Sequence, residues 1–439
     1  MTKSRAIRFL QYPVVFVIAV LVGLGLMLAA TALPVEPIRQ HVEQSAVTTI
    51  NNDGPYPVLT DICTSKVEGF SDYWILLMAE NNAPDTLLNR TLMMYYQMTG
   101  REHPGASLIS HYVYGREYDA YYEYSRYWHG YMIFVKPLLL FCDYAAIRLI
   151  NGIVQILVLF IVVALMYKRG LKELILPYFI TYLLMMPLVL MQCMFYSPCF
   201  YLTNLAVVIL ILFRGRKERL GLIFFVTGIL LAYFDFLSFP FITFGIPFLV
   251  WLYMEYKDNG FKVCLPSFIK ELIVSGIAWL MGYMLMWVTK WVITYIFSSK
   301  DAFKTALSVV SLNTGLDDGS SSGLSLRFSA IGMNWEAWWH TPVTIIFAAI
   351  LIAELLAILF HKRSGRENAK KNGKEIAKVA AAFGLIALTP FAWYFCLSKH
   401  STVHPWFANK TLAIFSFGLL IALTAIKQTM LYSSPEDDK

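Results

Sequence analysis

Residues 12–33 read YPVVFVIAVLVGLGLMLAATAL, with Lys3, Arg5 and Arg8 just before them. A helix rising about 1.5 Å per residue crosses the hydrocarbon core of a bilayer in roughly 20 apolar residues. This run is long enough. It is too long for the core of a secretory leader, and further runs follow, so an uncleaved first span with a cytoplasmic N-terminus is expected. The whole chain agrees: of its 439 residues, 58% are hydrophobic and 15% charged. Soluble domains carry about 25% charged residues, so a globule of this composition lacks the polar surface to stay in water. The composition predicts a polytopic membrane protein. It sets aside nucleic-acid binding, disorder, a coiled coil and a disulfide scaffold. The net charge of +7 is then a topology signal rather than a partner signal.

Working outward, further spans are expected at about 147–167, 174–193, 198–213, 220–237, 240–256, 270–296, 342–361, 376–397 and 405–426. The fold class is all-α: a polytopic integral membrane helix bundle of about ten transmembrane helices, one membrane domain over residues 1–439. Charge supports the alternation. Lys168, Arg169 and Lys172 fall in one hairpin, and Arg214, Arg216, Lys217 and Arg219 in the next. Lys257, Lys262 and Lys270 follow, then the run from Lys362 to Lys378. Basic loops face the cytoplasm, so a multi-pass protein of the cell membrane with both termini cytoplasmic is expected.

Two outer loops remain, 34–146 and 297–341. The first holds 13 acidic and 8 basic residues, Arg148 included, and so is no polyanion-binding surface. Residues 73–98 read as two short interfacial helices interrupted at Pro84. The tyrosine-dense run HYVYGREYDAYYEYSRYWHGY follows at 111–131. Residues 132–150 read as a helix or re-entrant piece. The second loop opens with an amphipathic stretch at 302–310. It continues through a Gly/Ser-rich run at 315–323, flexible by composition, and ends in a belt of Trp335, Trp338 and Trp339. No internal repeat, Walker, HExxH, GxSxG or CxxC motif is present. Cys193 and Cys199 flank one outer turn and are placed to pair.

Ionisable residues near a bilayer are costly and mark function by default. On this topology they collect on the outer side. Asp72 precedes Tyr-Trp, and Arg126 and His129 sit in Ser-Arg-Tyr-Trp-His-Gly-Tyr. Asp235 lies at a hairpin tip, Lys290 near the end of its span, and Lys399, His400, His404 and Lys410 at the last outer turn. Sugar transfer from a lipid phosphate needs such a set. A carboxylate near the acceptor hydroxyl acts as general base or metal ligand, and cations stabilise the leaving phosphate. Aromatic faces hold the sugar. Asp72 suits the catalytic role, and Arg126, His129, Asp235, Lys290, His400, His404 and Lys410 suit substrate binding. The cofactor is left open; a divalent cation, Mg²⁺ or Mn²⁺, is compatible with a carboxylate in that role. Each residue also has a plain structural reading. Asp72 caps the helix at Tyr73, Asp235 caps a turn or pairs with Lys290, and Lys290 snorkels. Lys136 pairs with Asp143, and Glu354 reaches the inner interface or a helix neighbour.

The layout resembles the GT-C superfamily of membrane glycosyltransferases: a first span, a large outer loop with an Asp and interfacial helices, then a many-helix bundle. Residues 126–131, 287–291 and 399–407 are also similar to segments of bacterial envelope proteins suspected of this activity. The resemblance implies a polyprenyl-phosphate sugar donor, a glycan or lipid acceptor of the cell envelope, and membrane lipids around the site. It matches Asp72 to the loop carboxylate and residues 311–325 to a flexible loop over the site. Members often carry paired acidic residues there, whereas Ser71 and Tyr73 flank Asp72, so Asp53 and Asp61 stay open as alternatives. Two other classes compete: a transporter or lipid flippase, and an envelope polysaccharide polymerase or ligase. Asn89-Arg-Thr and Asn409-Lys-Thr are formal glycosylation sequons.

Overall fold

The computed structural model describes residues 3–54, 56–100, 103–315, 323–360 and 372–431. The chain enters through α1 (Lys3–Thr31) and α2 (Val35–Ser45). The stretch read as two short helices holds α3 (Gly69–Ala79), almost wholly buried, and α4 (Leu87–Met93), separated around Pro84. Residues Tyr96–Met98, read as helix from the sequence, instead form β1. After α5 (Pro104–Tyr112), β1 pairs antiparallel with β2 (Ala120–Tyr122) from the tyrosine-rich run. Alternating tyrosines suit a strand, where successive side chains leave opposite faces. Then come α6 (Met132–Leu139), α7 (Tyr144–Lys168), α8 (Ile175–Leu184), α9 (Pro187–Met191), α10 (Ser197–Leu212), α11 (Leu220–Phe234), α12 (Ile242–Asp258) and α13 (Leu265–Ser298). The last part holds α14 (Ala302–Thr314), α15 (Gly323–Trp339), α16 (Val343–Leu359), α17 (Gly373–Ala387), α18 (Thr389–Cys396), α19 (Ser398–Val403), α20 (Pro405–Ala408) and α21 (Ala413–Leu431).

Five stretches among the described residues are long and apolar enough to cross a membrane: Leu10–Thr31, Tyr144–Lys168, Leu265–Ser298, Gly373–Cys396 and Pro405–Leu431. A sixth is reached if α15 and α16, bent by 90° at their junction, count as one span. The four runs expected at 174–193, 198–213, 220–237 and 240–256 are shorter helices. The first breaks at Met186, whose φ is 59°, ahead of Pro187. Proline disfavours a helical residue before it and lacks the N–H the helix needs. The Gly/Ser run at 316–322 and the basic run at 361–371 lie outside the described residues.

The longest packing seam joins α11 to α13, and two glycines set it. A Cβ on Gly228 would lie 2.1 Å from the Trp279 carbonyl oxygen, and one on Gly282 the same distance from that of Phe225. Each glycine therefore admits the other helix's backbone, the device that lets apolar helices associate where lipid gives no hydrophobic drive.

Charge divides the bundle by end. At one end Arg214 pairs with Asp258, and Lys257 donates to Glu173 (3.1 Å) and to the Gly170 carbonyl (2.7 Å). Lys217 donates to Ser267 (2.7 Å), and Glu354 pairs with Lys427 (3.1 Å), its expected helix neighbour. This is the basic end. The loops at 193–196, 235–241 and 397–404 gather at the opposite, distal end, where the structured segment 46–139 packs upon them.

Candidate functional site

The distal end is organised around three phenylalanine rings. Phe195 lies 4.6 Å from Phe236 and 5.4 Å from Phe407, centroid to centroid. Phe236 reaches Tyr131 (5.4 Å) and His129 (6.2 Å), and Phe407 reaches His400 (5.7 Å) and His404 (5.1 Å). Residues far apart in sequence are thereby brought together: Asp72, Arg126, His129, Asp235, His400, His404 and Lys410 all lie on or beside this aromatic centre.

Asp72 is wholly buried in the first turn of α3. It does not cap its own helix. Its carboxylate accepts the N–H groups of Met194 (2.9 Å) and Phe195 (2.8 Å), the Tyr144 hydroxyl (2.5 Å) and the Cys193 thiol (3.5 Å). Burial pushes its pKa up, and these donors, with Arg148 nearby, push it back. Both oxygens are thus engaged by fixed groups, and the residue ties α3 to the turn before α10. Asp53, one alternative carboxylate, belongs to the same network through Arg148 (2.5 Å), which also donates to Tyr144 Oη (3.0 Å). Asp61, the other, is exposed.

One turn earlier, Glu68 is only 3% exposed and accepts from Trp406 Nε1 (2.7 Å) and Ser71 Oγ (3.2 Å). Burial pushes its carboxyl up to about 7, against the pull of those donors and of Lys66. Lys66 Nζ sits 3.8 Å from the Tyr56 ring centroid and 3.7 Å from that of Trp406, a cation between two aromatic faces. Lys410, 1% exposed, is joined to Glu68 through Trp406. Its ammonium has the Trp406 carbonyl at 3.5 Å and the Tyr196 ring at 5.5 Å, and no carboxylate in ion-pair range among the described residues. Tyr196 Oη and His404 Nδ1 are buried without partners, and His400 bonds the Ser238 backbone. Burial lowers His400 to about 3 and His404 to about 4, so both rings are neutral at neutral pH. They offer hydrogen bonds, not charge.

Other sequence-marked residues serve the scaffold. His129, with φ of 56°, uses both ring nitrogens, on Tyr124 O (2.7 Å) and Tyr131 Oη (2.5 Å). Burial lowers its pKa to about 3. Asp235 caps a turn, accepting from Leu237 N (2.8 Å), Ser238 N (3.1 Å) and Ser238 Oγ (2.6 Å). It does not pair with Lys290, which donates to the Leu92 carbonyl at 2.6 Å. Asp143 caps α7 on Ala146 N (2.9 Å) and accepts from Gln44 (3.0 Å), so it does not pair with Lys136. The cysteine pairing is not formed. Cys193 bonds Asp72, Cys199 bonds Ser238 Oγ (3.2 Å), and both are free thiols. Asn409, in the second sequon, is 1% exposed. For a divalent cation, no group of three or more His, Cys, Asp or Glu among the described residues is arranged to hold one.

Glu68, Lys66, Tyr196 and Trp406 were not singled out from sequence. One signal was there: Glu68 and Asp72 stand four apart, a helical turn, which pairs two acids on one face.

No protein-family model matches the chain, and no curated protein and no solved structure matches it.

Proposed function

We propose that this chain is a membrane glycosyltransferase. On this reading the distal end faces outward, both termini are cytoplasmic, and the shorter apolar helices complete a bundle of about ten membrane-crossing elements. A sugar passes from a polyprenyl-phosphate donor to a cell-envelope glycan or lipid acceptor. One observation carries the reading: a buried carboxylate poised near neutrality shares Trp406 with a buried lysine that has no counter-ion among the described residues. A buried unpaired cation is costly, and an anionic ligand offsets that cost.

In this mechanism ionised Glu68 takes the acceptor hydroxyl proton as the oxygen attacks the anomeric carbon. The bond from that carbon to the phosphate oxygen breaks, and its electron pair leaves with the lipid phosphate. Lys410 neutralises the leaving charge, while Tyr196 and the neutral imidazole of His404 supply hydrogen bonds. Asp72 positions the site instead of reacting.

The test is release of radiolabel from a panel of polyprenyl-phosphate sugars by the protein in nanodiscs, given envelope acceptor. Wild type and Asp72→Asn should both be compared with Glu68→Gln. Release that survives Glu68→Gln unchanged sinks the mechanism.

A second reading, transport, has one observation in its favour. A cavity between α8, α10 and α12 is lined by Tyr178, Thr181, Tyr182, Thr203 and Asn204, and Thr181 Oγ1 and Tyr182 Oη are unpartnered. Single cysteines there that alternate in accessibility from the two sides would favour it.

A further inference from the structure

The tyrosine-rich segment builds a second set of unfilled donors, separate from the Glu68–Lys410 cluster. Its backbone is fastened to α13. Trp128 Nε1 donates to the Met286 carbonyl (2.7 Å), and Trp291 Nε1 donates to that of Arg126 (2.9 Å). Against this fixed frame, rings run in a continuous series. Trp74 lies 5.3 Å from Tyr124, Tyr124 5.7 Å from Tyr127, Tyr127 5.6 Å from Trp287, and Trp287 4.8 Å from Tyr283. The Arg126 guanidinium lies 4.2 Å from the Tyr124 centroid and 5.4 Å from that of Tyr127.

Within this one series Trp74 Nε1, Trp287 Nε1, Tyr283 Oη and Arg126 Nε are buried without a hydrogen-bond partner. Buried polar groups are otherwise almost always paired, and leaving one unpaired costs about 1–3 kcal/mol. The Arg126 guanidinium bonds the Tyr127 side chain and pairs with no carboxylate among the described residues: the nearby Glu123 is taken by Lys300 (3.1 Å) and by the Ser125 N–H (2.9 Å). Lys290, close by, is buried and bonded only to a carbonyl.

Flat aromatic faces with scattered N–H and O–H donors match a sugar ring, whose faces are apolar and whose rim is hydroxyl oxygen. A planar guanidinium matches a two-oxygen anion. We propose that this ring-lined cluster is a saccharide subsite for a sugar bearing an oxyanion, a carboxylate or a phosphate, gripped by Arg126. The inference rests on the glycosyl-transfer reading and names a property of the sugar handled.

The test uses the full chain in nanodiscs and intrinsic tryptophan fluorescence. Three probes are titrated: methyl glucuronide, glucose 6-phosphate and methyl glucoside. At least one anionic sugar should bind tenfold or more tighter than the neutral glucoside, and which one does identifies the anion. Arg126→Gln should abolish that preference. Arg126→Lys, which keeps charge but loses the fork, should keep only part of it. Tyr283→Phe should weaken binding severalfold with Tm unchanged, which separates recognition from folding. Glu68→Gln should leave all affinities intact. Equal affinity for the three probes, or a preference that survives Arg126→Gln, overturns the proposal. Absence of binding in a preparation that transfers neutral sugars overturns the subsite and leaves the transfer reading standing. Arg126-dependent binding without transfer from any donor supports the subsite and removes the reading above.

Discussion

Two acids one helical turn apart show how environment assigns roles. Asp72 meets four fixed donors, whereas Glu68 meets two and keeps a raised pKa. Removing the Asp72 carboxylate strands two amides and a hydroxyl at about 1–3 kcal/mol each. Asp72→Ala should therefore lower Tm sharply, read by thermal unfolding in detergent. Glu68→Gln should leave Tm nearly unchanged and cut transfer roughly 10²–10⁴-fold, the usual worth of a general base. The pH dependence follows in sign. A base must be ionised, so activity should rise with pH through about 7 and be flat in Glu68→Gln. Stability runs the other way. A carboxyl with a raised pKa in the fold holds its proton more tightly there, so its contribution fades as pH climbs through that value. Sequence made Asp72 visible because it precedes an apolar aromatic run. It did not show the donors, because Met194 and Phe195 lie more than a hundred residues away.

Among the elements, the α11–α13 seam is the most exacting. Gly282→Val should separate the helices, since its first side-chain carbon has the Phe225 carbonyl oxygen 2.1 Å away. Loss of folded protein in size-exclusion chromatography is the expected result, and Gly25→Val in α1, with open space around it, is the control. Apolar runs made most helices of the bundle legible, though not α2 or α15. Their interruptions were less so. Pro187 marks a break by its chemistry, yet the left-handed Met186 before it is imposed by tertiary packing. The β1–β2 ribbon was missed for a like reason: its strands are three residues long and stabilise each other only once the chain has turned back.

Over the whole molecule, charge is the organising signal, and it was readable from loop composition alone. What composition could not supply is convergence, which depends on where each helix crosses its neighbours. Two native thiols now test the orientation. Cys63 is exposed at the distal end and Cys264 at the basic end. An impermeant maleimide applied to intact cells should label Cys63 and spare Cys264 until the membrane is permeabilised, with Cys63→Ser and Cys264→Ser assigning the signals. Labelling of Cys264 alone would invert the topology.

The fastening of Trp128 to Met286 spans 158 residues of chain. At a synthesis rate of about 5–20 residues per second, the first loop waits roughly 8–30 s for the helix that holds it. During that interval its buried carboxylates and aromatic rings lack the cover that α13 gives them. The loop is thus a late-maturing part made early, and biogenesis should depend on a translocation-site chaperone that shelters it. Nascent chains stopped before residue 265 should remain protease-sensitive throughout that loop.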